Sequence, residues 1–280
     1  MQQQEGIWRA LPPERGKYFQ RFIGDYETIR QAEGRGSTES NYYLELPFRD
    51  VTRKQAWQWR IRGKSYRCLE KQIWPLIEKQ KPQGLDLLDV GAGVGWLSYR
   101  LALRGLHPTA VDLIVNDFDG LGATRHYLAA LSQPFPCFQA EMDCLPFGDG
   151  QFDVVVFNAS LHYSENYHRT LSEALRCLRP KGHLLIVDTP IYQLEESGKQ
   201  MLEERHRQFE SQYGFRSDGI PSREFLTYLA LNELASQLHL TWRFFQPWYG
   251  VAWALRPFMA RLQKKREPSK FHILWGQRNG

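Results

Sequence analysis

Three glycines two residues apart, Gly91, Gly93 and Gly95, follow directly on the apolar run Leu85–Val90, and acids close two later apolar stretches at Asp112 and Asp143. Glycine admits positive φ and lets a ligand approach main-chain atoms, while a helix opening after such a turn offers unpaired N–H groups. That combination is suited to holding a nucleotide-like group. A few residues past a fourth apolar segment stands His162, the candidate general base, since an imidazole with an unperturbed pKa of about 6.5 exchanges protons at neutral pH. Its alternative role is that of a pocket wall.

These residues need a scaffold, and from Leu85 the chain supplies one by alternating short apolar strands with helical segments. Strands are expected at 85–90, 107–112, 135–139, 153–158 and 183–188. The helix before the fifth carries Leu171, Ala174, Leu175 and Leu178 on one face and is stopped by Pro180 and Gly182. Such alternation argues for a parallel sheet with helices on both faces, whose ligands lie beyond the strands' carboxyl ends. Gly91, Asp112, Asp143, Asn158 and Asp188 all fall there. Asp112 comes 21 residues after Gly91, close to the roughly 20-residue spacing at which a carboxylate meets ribose hydroxyls in Rossmann-like folds.

The glycine register separates two cofactor classes. Nicotinamide-binding turns read Gly-x-Gly-x-x-Gly, and here the third place is Trp96. Asp89-Val90-Gly91-Ala92-Gly93-Val94-Gly95 instead resembles motif I of the class I S-adenosylmethionine-dependent methyltransferases. Asp143-Cys144-Leu145-Pro146-Phe147, the strand Phe152-Asp153-Val154-Val155 and the closing Leu161-His162 resemble the type 11 branch of that family, as does Leu178-Arg179-Pro180-Lys181-Gly182-His183-Leu184, where Lys181 replaces a commoner glycine. The matching part spans about residues 84 to 190. The resemblance implies a Rossmann-like α/β fold with a seven-stranded, mostly parallel sheet, helices on both faces and a helical cap. It implies S-adenosylmethionine as cofactor, held by Asp89, Gly91, Ala92, Gly93 and Gly95 at the loop, by Asp112 and Leu113 at the ribose, by Asp143 and Cys144 at the adenine, and by Asn158. Methyl transfer needs a held donor, an aligned nucleophile and excluded water, and no metal.

Outside that core, residues 1–83 read as loops plus one long helix, Thr52 to Gln80, forming an N-terminal cap stopped at Lys81-Pro82-Gln83-Gly84. Residues 191–239 read as a second helical cap segment. Residues 240–280 supply two closing strands, 240–245 and 271–275, around an inserted helix, Tyr249 to Lys265, kinked by Pro257. All four parts belong to one folded unit. The flanks outside 84–190 hold eight of the nine tryptophans, which favours an apolar or aromatic small-molecule acceptor. Arg60 and Tyr66 are weaker pocket candidates, with solvated charge and core packing as their alternatives, and so is Tyr192, with a plain loop aromatic as its alternative.

Composition bounds the rest. A chain of 280 residues with 42% hydrophobic residues buries a full core. No apolar run reaches the length of a membrane span, and the Gln-rich start lacks a signal peptide's apolar centre, so a cytoplasmic protein is expected. Cys68, Cys137, Cys144 and Cys177 make no Cys-x-x-Cys pair and have no metal spacing with the histidines, so free thiols are expected. A net charge of +5 is mild and gives no nucleic-acid stripe. Asn158-Ala159-Ser160-Leu161 also lacks the Asn-Pro-Pro-Tyr/Phe of base-amine methylating enzymes. The competing functions are therefore a nucleic-acid methyltransferase, an NAD-dependent oxidoreductase and a non-catalytic S-adenosylmethionine-binding protein. The basic run Arg261-Leu262-Gln263-Lys264-Lys265-Arg266 ends the kinked helix, either as a dock on an anionic membrane or as a solvated helix end.

Overall fold

The alternating apolar residues of the central strands are buried on both sides, and that decides the architecture. In a computed structural model describing residues 1–81 and 84–278, Leu87, Val154, Val156, Leu185 and Val187 pack into one core while Leu88, Val155, Phe157, Leu184 and Ile186 pack into another. Successive strand side chains point to opposite faces, so a run apolar at every position must be covered twice. The stop expected at Pro82 and Gln83, and with it the 83 boundary, lies outside the described residues, as does the end of the chain at 279–280.

In chain order the strands are β1 (Gln2–Gln4), β2 (Ile7–Arg9), β3 (Asp86–Val90), β4 (His107–Asp112), β5 (Cys137–Gln139), β6 (Phe152–Asn158), β7 (Leu178–Val187), β8 (Ile191–Tyr192), β9 (Leu226–Thr227), β10 (Leu240–Phe245) and β11 (Ile273–Arg278). Among the described residues nine of them form one sheet in the order β1-β2-β5-β4-β3-β6-β7-β11-β10, and β8 and β9 form a small parallel pair. Strands β2 to β7 in this sheet run parallel, and β11 lies antiparallel between β7 and β10. The seven strands from β5 to β10 are those the sequence implies. The further two, the antiparallel hairpin β1–β2, extend the edge through pairing of β2 with β5. Strands of three residues, one all glutamine and the other Ile7-Trp8-Arg9, are too short to show a period, so residues 1–9 read as a loop.

The helices are α1 (Pro13–Ala32), α2 (Ser40–Glu45), α3 (Ala56–Cys68), α4 (Trp74–Glu78), α5 (Trp96–Leu103), α6 (Tyr167–Cys177), α7 (Glu195–Tyr213), α8 (Tyr228–Gln237), α9 (Val251–Ala254) and α10 (Arg256–Leu262). The single helix expected over 52–80 is instead α3, a π-helical turn at Leu69–Ile73, and α4. Pro75 explains the break: without an N–H it cannot bond back one turn, and the ladder widens before it. Helix α1 is a further departure from the expected loops. Its start is set by Pro13 at the first turn, and Phe19, Phe22 and Ile29 are buried along one face. Lys181 takes φ 65° at the place where the family pattern carries glycine, a conformation costing roughly 1–2 kcal/mol for a residue with a Cβ.

Candidate active site

The first element of the site is the turn from β3 into α5. Gly91, Gly93 and Gly95 all have positive φ, and two of them are needed for different reasons. A Cβ on Gly91 would lie 2.3 Å from Cβ of Ser160, whereas one on Gly93 would meet nothing within 4 Å. Gly91 is thus closed by protein and Gly93 opens on free space. Ser160 Oγ donates to the Val90 carbonyl at 2.5 Å, tying the end of β6 to the turn. Trp96, standing where a dinucleotide fold has its third glycine, is packed edge-on between Trp59 at 6.1 Å and Tyr66 at 5.7 Å.

The acid at the end of β4 is wired to that turn. Asp112 Oδ2 accepts from the Gly93 N–H at 2.7 Å and Oδ1 from the Ile114 N–H at 2.8 Å. Burial raises its pKa to about 6 against the opposing pull of these amides. Together these elements wall a cleft lined by Gly91, Ala92, Gly93, Asp112, Leu113 and Asn158, with Trp59, Arg62, Met142 and Tyr163 facing them. The Asn158 Oδ1 is buried there without a hydrogen-bond partner, an unpaired acceptor that a bound ligand would satisfy.

Several predicted residues stand elsewhere. Asp89 is fully buried beneath the turn, accepts from Ser98 Oγ at 2.9 Å, and is pushed by burial to a pKa of about 7. It supports the turn from α5 rather than lining the cleft. Gly95 meets Thr124 and Phe135 at its Cβ position and serves packing. Asp143 accepts from the Thr170 hydroxyl and lines a smaller adjoining cavity that shares Phe22, Leu113, Met142 and Tyr163 with the cleft. Cys144 is exposed, and its N–H bonds back to the Glu141 carbonyl at 3.4 Å.

His162 is outside the cleft lining, and the position facing in is Tyr163. The His162 Nδ1 is buried without a partner, and its carbonyl accepts from the Glu224 N–H at 2.7 Å. Burial drives its pKa down to about 4, with Arg205, Arg62 and Arg30 adding to that shift and Glu224 opposing it. The ring is therefore neutral near pH 7. Tyr192 is buried against Phe225, and Arg60 sits over the exposed Trp57 ring. Neither lines the cleft.

Sequence reasoning missed α1 and Arg62. The guanidinium of Arg15 forks onto Glu141 at 2.6–3.1 Å, and Arg30 meets Asp119 at 3.3 Å. These pairs fasten α1 across the carboxyl ends of the strands, where Phe22, Tyr26 and Arg30 join the cleft wall. The spacing of Phe19, Phe22, Tyr26 and Ile29 was the available signal. Arg62 follows Trp59 by one helical turn and lies over its ring at 4.8 Å. It has no carboxylate within ion-pair distance among the described residues, and burial lowers its pKa, helped by Arg35 and Arg30. A second cavity, sharing Phe22, Tyr26, Arg30, Arg62 and Tyr163 with the first, is lined further by Arg35, Arg205, Glu33 and Glu224.

With this geometry in place, comparison with known proteins gives the class. Residues 88–186 match the family model described as a methyltransferase domain. That stretch is a methyltransferase domain of the type 11 branch, and the fold around it is that of the class I S-adenosylmethionine-dependent methyltransferases. A malonyl-[acyl-carrier protein] O-methyltransferase of Erwinia billingiae is 31% identical over 104 residues, 37% of this chain and 38% of that protein. A ubiquinone/menaquinone biosynthesis C-methyltransferase of Roseobacter denitrificans is 32% identical over 107 residues, 38% of this chain and 42% of that protein. The chain thus spans about two fifths of the length of these relatives. Among solved structures, the 1,6-didemethyltoxoflavin-N1-methyltransferase of Burkholderia thailandensis aligns over 92% of this chain and 91% of its own, with a TM-score of 0.51 at 16% identity.

Proposed function

We propose that the protein transfers a methyl group from S-adenosylmethionine to a small aromatic acceptor. The observation that carries this reading is the open space over Gly93 beside the carboxylate of Asp112 and the unpaired Oδ1 of Asn158. A cradle without side chains, an acid and a buried acceptor fit the sulfonium nucleoside residue by residue. Asp112 and Leu113 would hold the ribose, Gly91, Ala92 and Asn158 the amino-acid end, and Met142 with the neighbouring Asp143 the adenine. Arg62, a cation lacking an ion-pair partner in the same cleft, suits the carboxylate of that amino-acid end. When bound, the cofactor supplies an electrophilic methyl group.

The chain's own part is to bind, orient and exclude water. Phe22, Tyr26 and Tyr163 separate the two cavities, so an acceptor in the second reaches the first past aromatic rings. The arginines of that second cavity are committed, Arg30 to Asp119, Arg35 to Glu33, Arg205 to Glu224 and Arg62 to the cofactor, so its aromatic rings set the acceptor class. Tyr163 is the side chain we place against the acceptor; His162 acts behind it as a positioning residue through its carbonyl bond to Glu224. By their names one matched relative is a malonyl-[acyl-carrier protein] O-methyltransferase and another a C-methyltransferase of ubiquinone/menaquinone biosynthesis, and the residues around the cleft, not the shared core, select the acceptor here. A cytoplasmic setting is in keeping with four free cysteines. No helix among the described residues is long and apolar enough to cross a membrane.

Isothermal titration with S-adenosylmethionine, S-adenosylhomocysteine, NAD and NADP tests the cofactor. Binding of the first two alone is expected. Nicotinamide binding without either would overturn the reading, and a screen of small aromatic acceptors that yields no methylated product in the presence of bound cofactor would leave a non-catalytic binding protein.

A further inference from the structure

We propose that α9 and α10 dock the protein on an anionic lipid surface. Large apolar side chains recur at intervals of three to four residues through this segment, at Trp248, Val251, Leu255, Phe258 and Leu262, and all are exposed, from 50% for Leu255 to 68% for Trp248. Neither helix buries a single residue. Isolated exposed leucines are ordinary, but a contiguous apolar stripe marks a contact surface.

The stripe is held in place from behind. Lys64 Nζ donates to the Tyr249 carbonyl at 2.5 Å, and the Tyr249 hydroxyl lies 2.8 Å from Ser65 Oγ, both partners belonging to α3. Arg256 stacks on Trp253 at 3.9 Å, and Arg266 pairs with Glu204 at 2.8 Å. Trp57, also exposed, extends the patch through Trp253 at 6.5 Å. The segment is therefore anchored to the helix that also gives Trp59 and Arg62 to the cleft.

Charge selects the occupant. From Gln246 to Arg266 the chain has five basic residues and no acid. Arg261, Lys264 and Lys265 are exposed and have no ion pair among the described residues. An apolar face carrying Trp, Phe and Leu beside a cluster of Lys and Arg is the composition of a helix lying in a membrane interface. A second copy of the chain is the poorer partner, because two-fold pairing would bring the two basic clusters together. The proposal is independent of methyl transfer.

Flotation of the full chain with vesicles of phosphatidylglycerol and phosphatidylcholine, and with phosphatidylcholine alone, tests it. Binding to the anionic vesicles that weakens with salt is expected. Removing three charges with R261Q, K264Q and K265Q should weaken it on the order of a hundredfold, since each basic residue near such a surface contributes roughly fivefold. The double substitution F258S and L262S, at exposed positions that leave folding intact by thermal melting, should abolish it at low salt. Absence of binding to anionic vesicles, or binding unchanged by the charge removal, overturns the proposal. So does a dimer in sedimentation that F258S and L262S dissolve, which would make the face a protein interface.

Discussion

The amide of Gly93 donates to the carboxylate of Asp112 across 2.7 Å, joining the turn after the first core strand to the acid that ends the second. One bond thus fixes both the shape of the glycine turn and the direction of the ribose ligand, and it makes Asp112 more consequential than its role as a single ligand implies.

Replacing Asp112 with Asn should therefore weaken S-adenosylhomocysteine binding by tenfold or more, consistent with about 1.5–3 kcal/mol for hydrogen bonds to a charged group. Asp143→Asn should cost less, because Asp143 lines the adjoining cavity rather than the cleft itself. With the Asp112 pKa raised to about 6 by burial, affinity in the wild type should fall as pH drops below that value and the carboxylate becomes protonated. Equal affinities for the two variants by calorimetry would remove the ribose assignment.

Two glycine substitutions separate folding from binding. Gly91→Ala drives a Cβ to 2.3 Å from Ser160 Cβ at φ 73°, so clash and strain together should lower the melting temperature markedly. Gly93→Ala meets no neighbour at φ 56° and should cost only about 1–2 kcal/mol of strain, yet fill the cofactor's space. A folded Gly93→Ala protein that still binds S-adenosylhomocysteine normally would refute the cradle.

Arg62→Gln should change stability little, because no carboxylate loses a partner. Affinity for S-adenosylhomocysteine should fall tenfold or more while affinity for 5′-methylthioadenosine, which lacks the amino-acid end, stays the same. Parallel losses for both ligands would show that Arg62 shapes the cleft without holding a carboxylate.

His162 predicts a pH dependence of folding. Its folded-state pKa of about 4 lies below its ordinary value because burial disfavours the charged ring. Between about pH 6.5 and 4 the unfolded chain therefore binds the proton that the folded chain refuses. Stability rises with pH across that window and is lost as pH falls through it, on the order of 2 kcal/mol from this residue after allowing for its partial exposure. Urea unfolding of wild type and His162→Gln should diverge in slope against pH only in that window. Identical slopes would mean that the ring protonates freely in the fold.

Much of the core is legible in the residue pattern alone. The apolar runs ending at Val90, Asp112 and Asn158 declare strands because burial on both faces demands apolar residues at every position, and Leu240–Phe245 appears as a strand over the residues expected. Gly91 and Gly93 were visible because positive φ and close approach leave few alternatives to glycine. The hairpin at residues 2–9 was not, since three-residue strands are too short to show a period and borrow their stability from the edge they join. Helix α1 was recognisable in principle from Phe19, Phe22, Tyr26 and Ile29, but nothing local says which surface those rings cover.

The sequence by itself determined the places of the core strands along the chain, the glycine turn, the acid at the end of β4 and, through the family resemblance of those motifs, the class of chemistry they serve, because each is written in near-neighbour patterns. Tertiary structure decided which side chains face the cleft. Tyr163 rather than His162 and Arg62 rather than Arg60 line it, and the apolar stripe of α9 and α10 faces outward instead of joining the core. Those outcomes rest on how α1, α3 and the closing strands are fastened by contacts such as Arg15 to Glu141 and Lys64 to Tyr249. Partners more than a hundred residues apart in the chain leave no periodic signal in it.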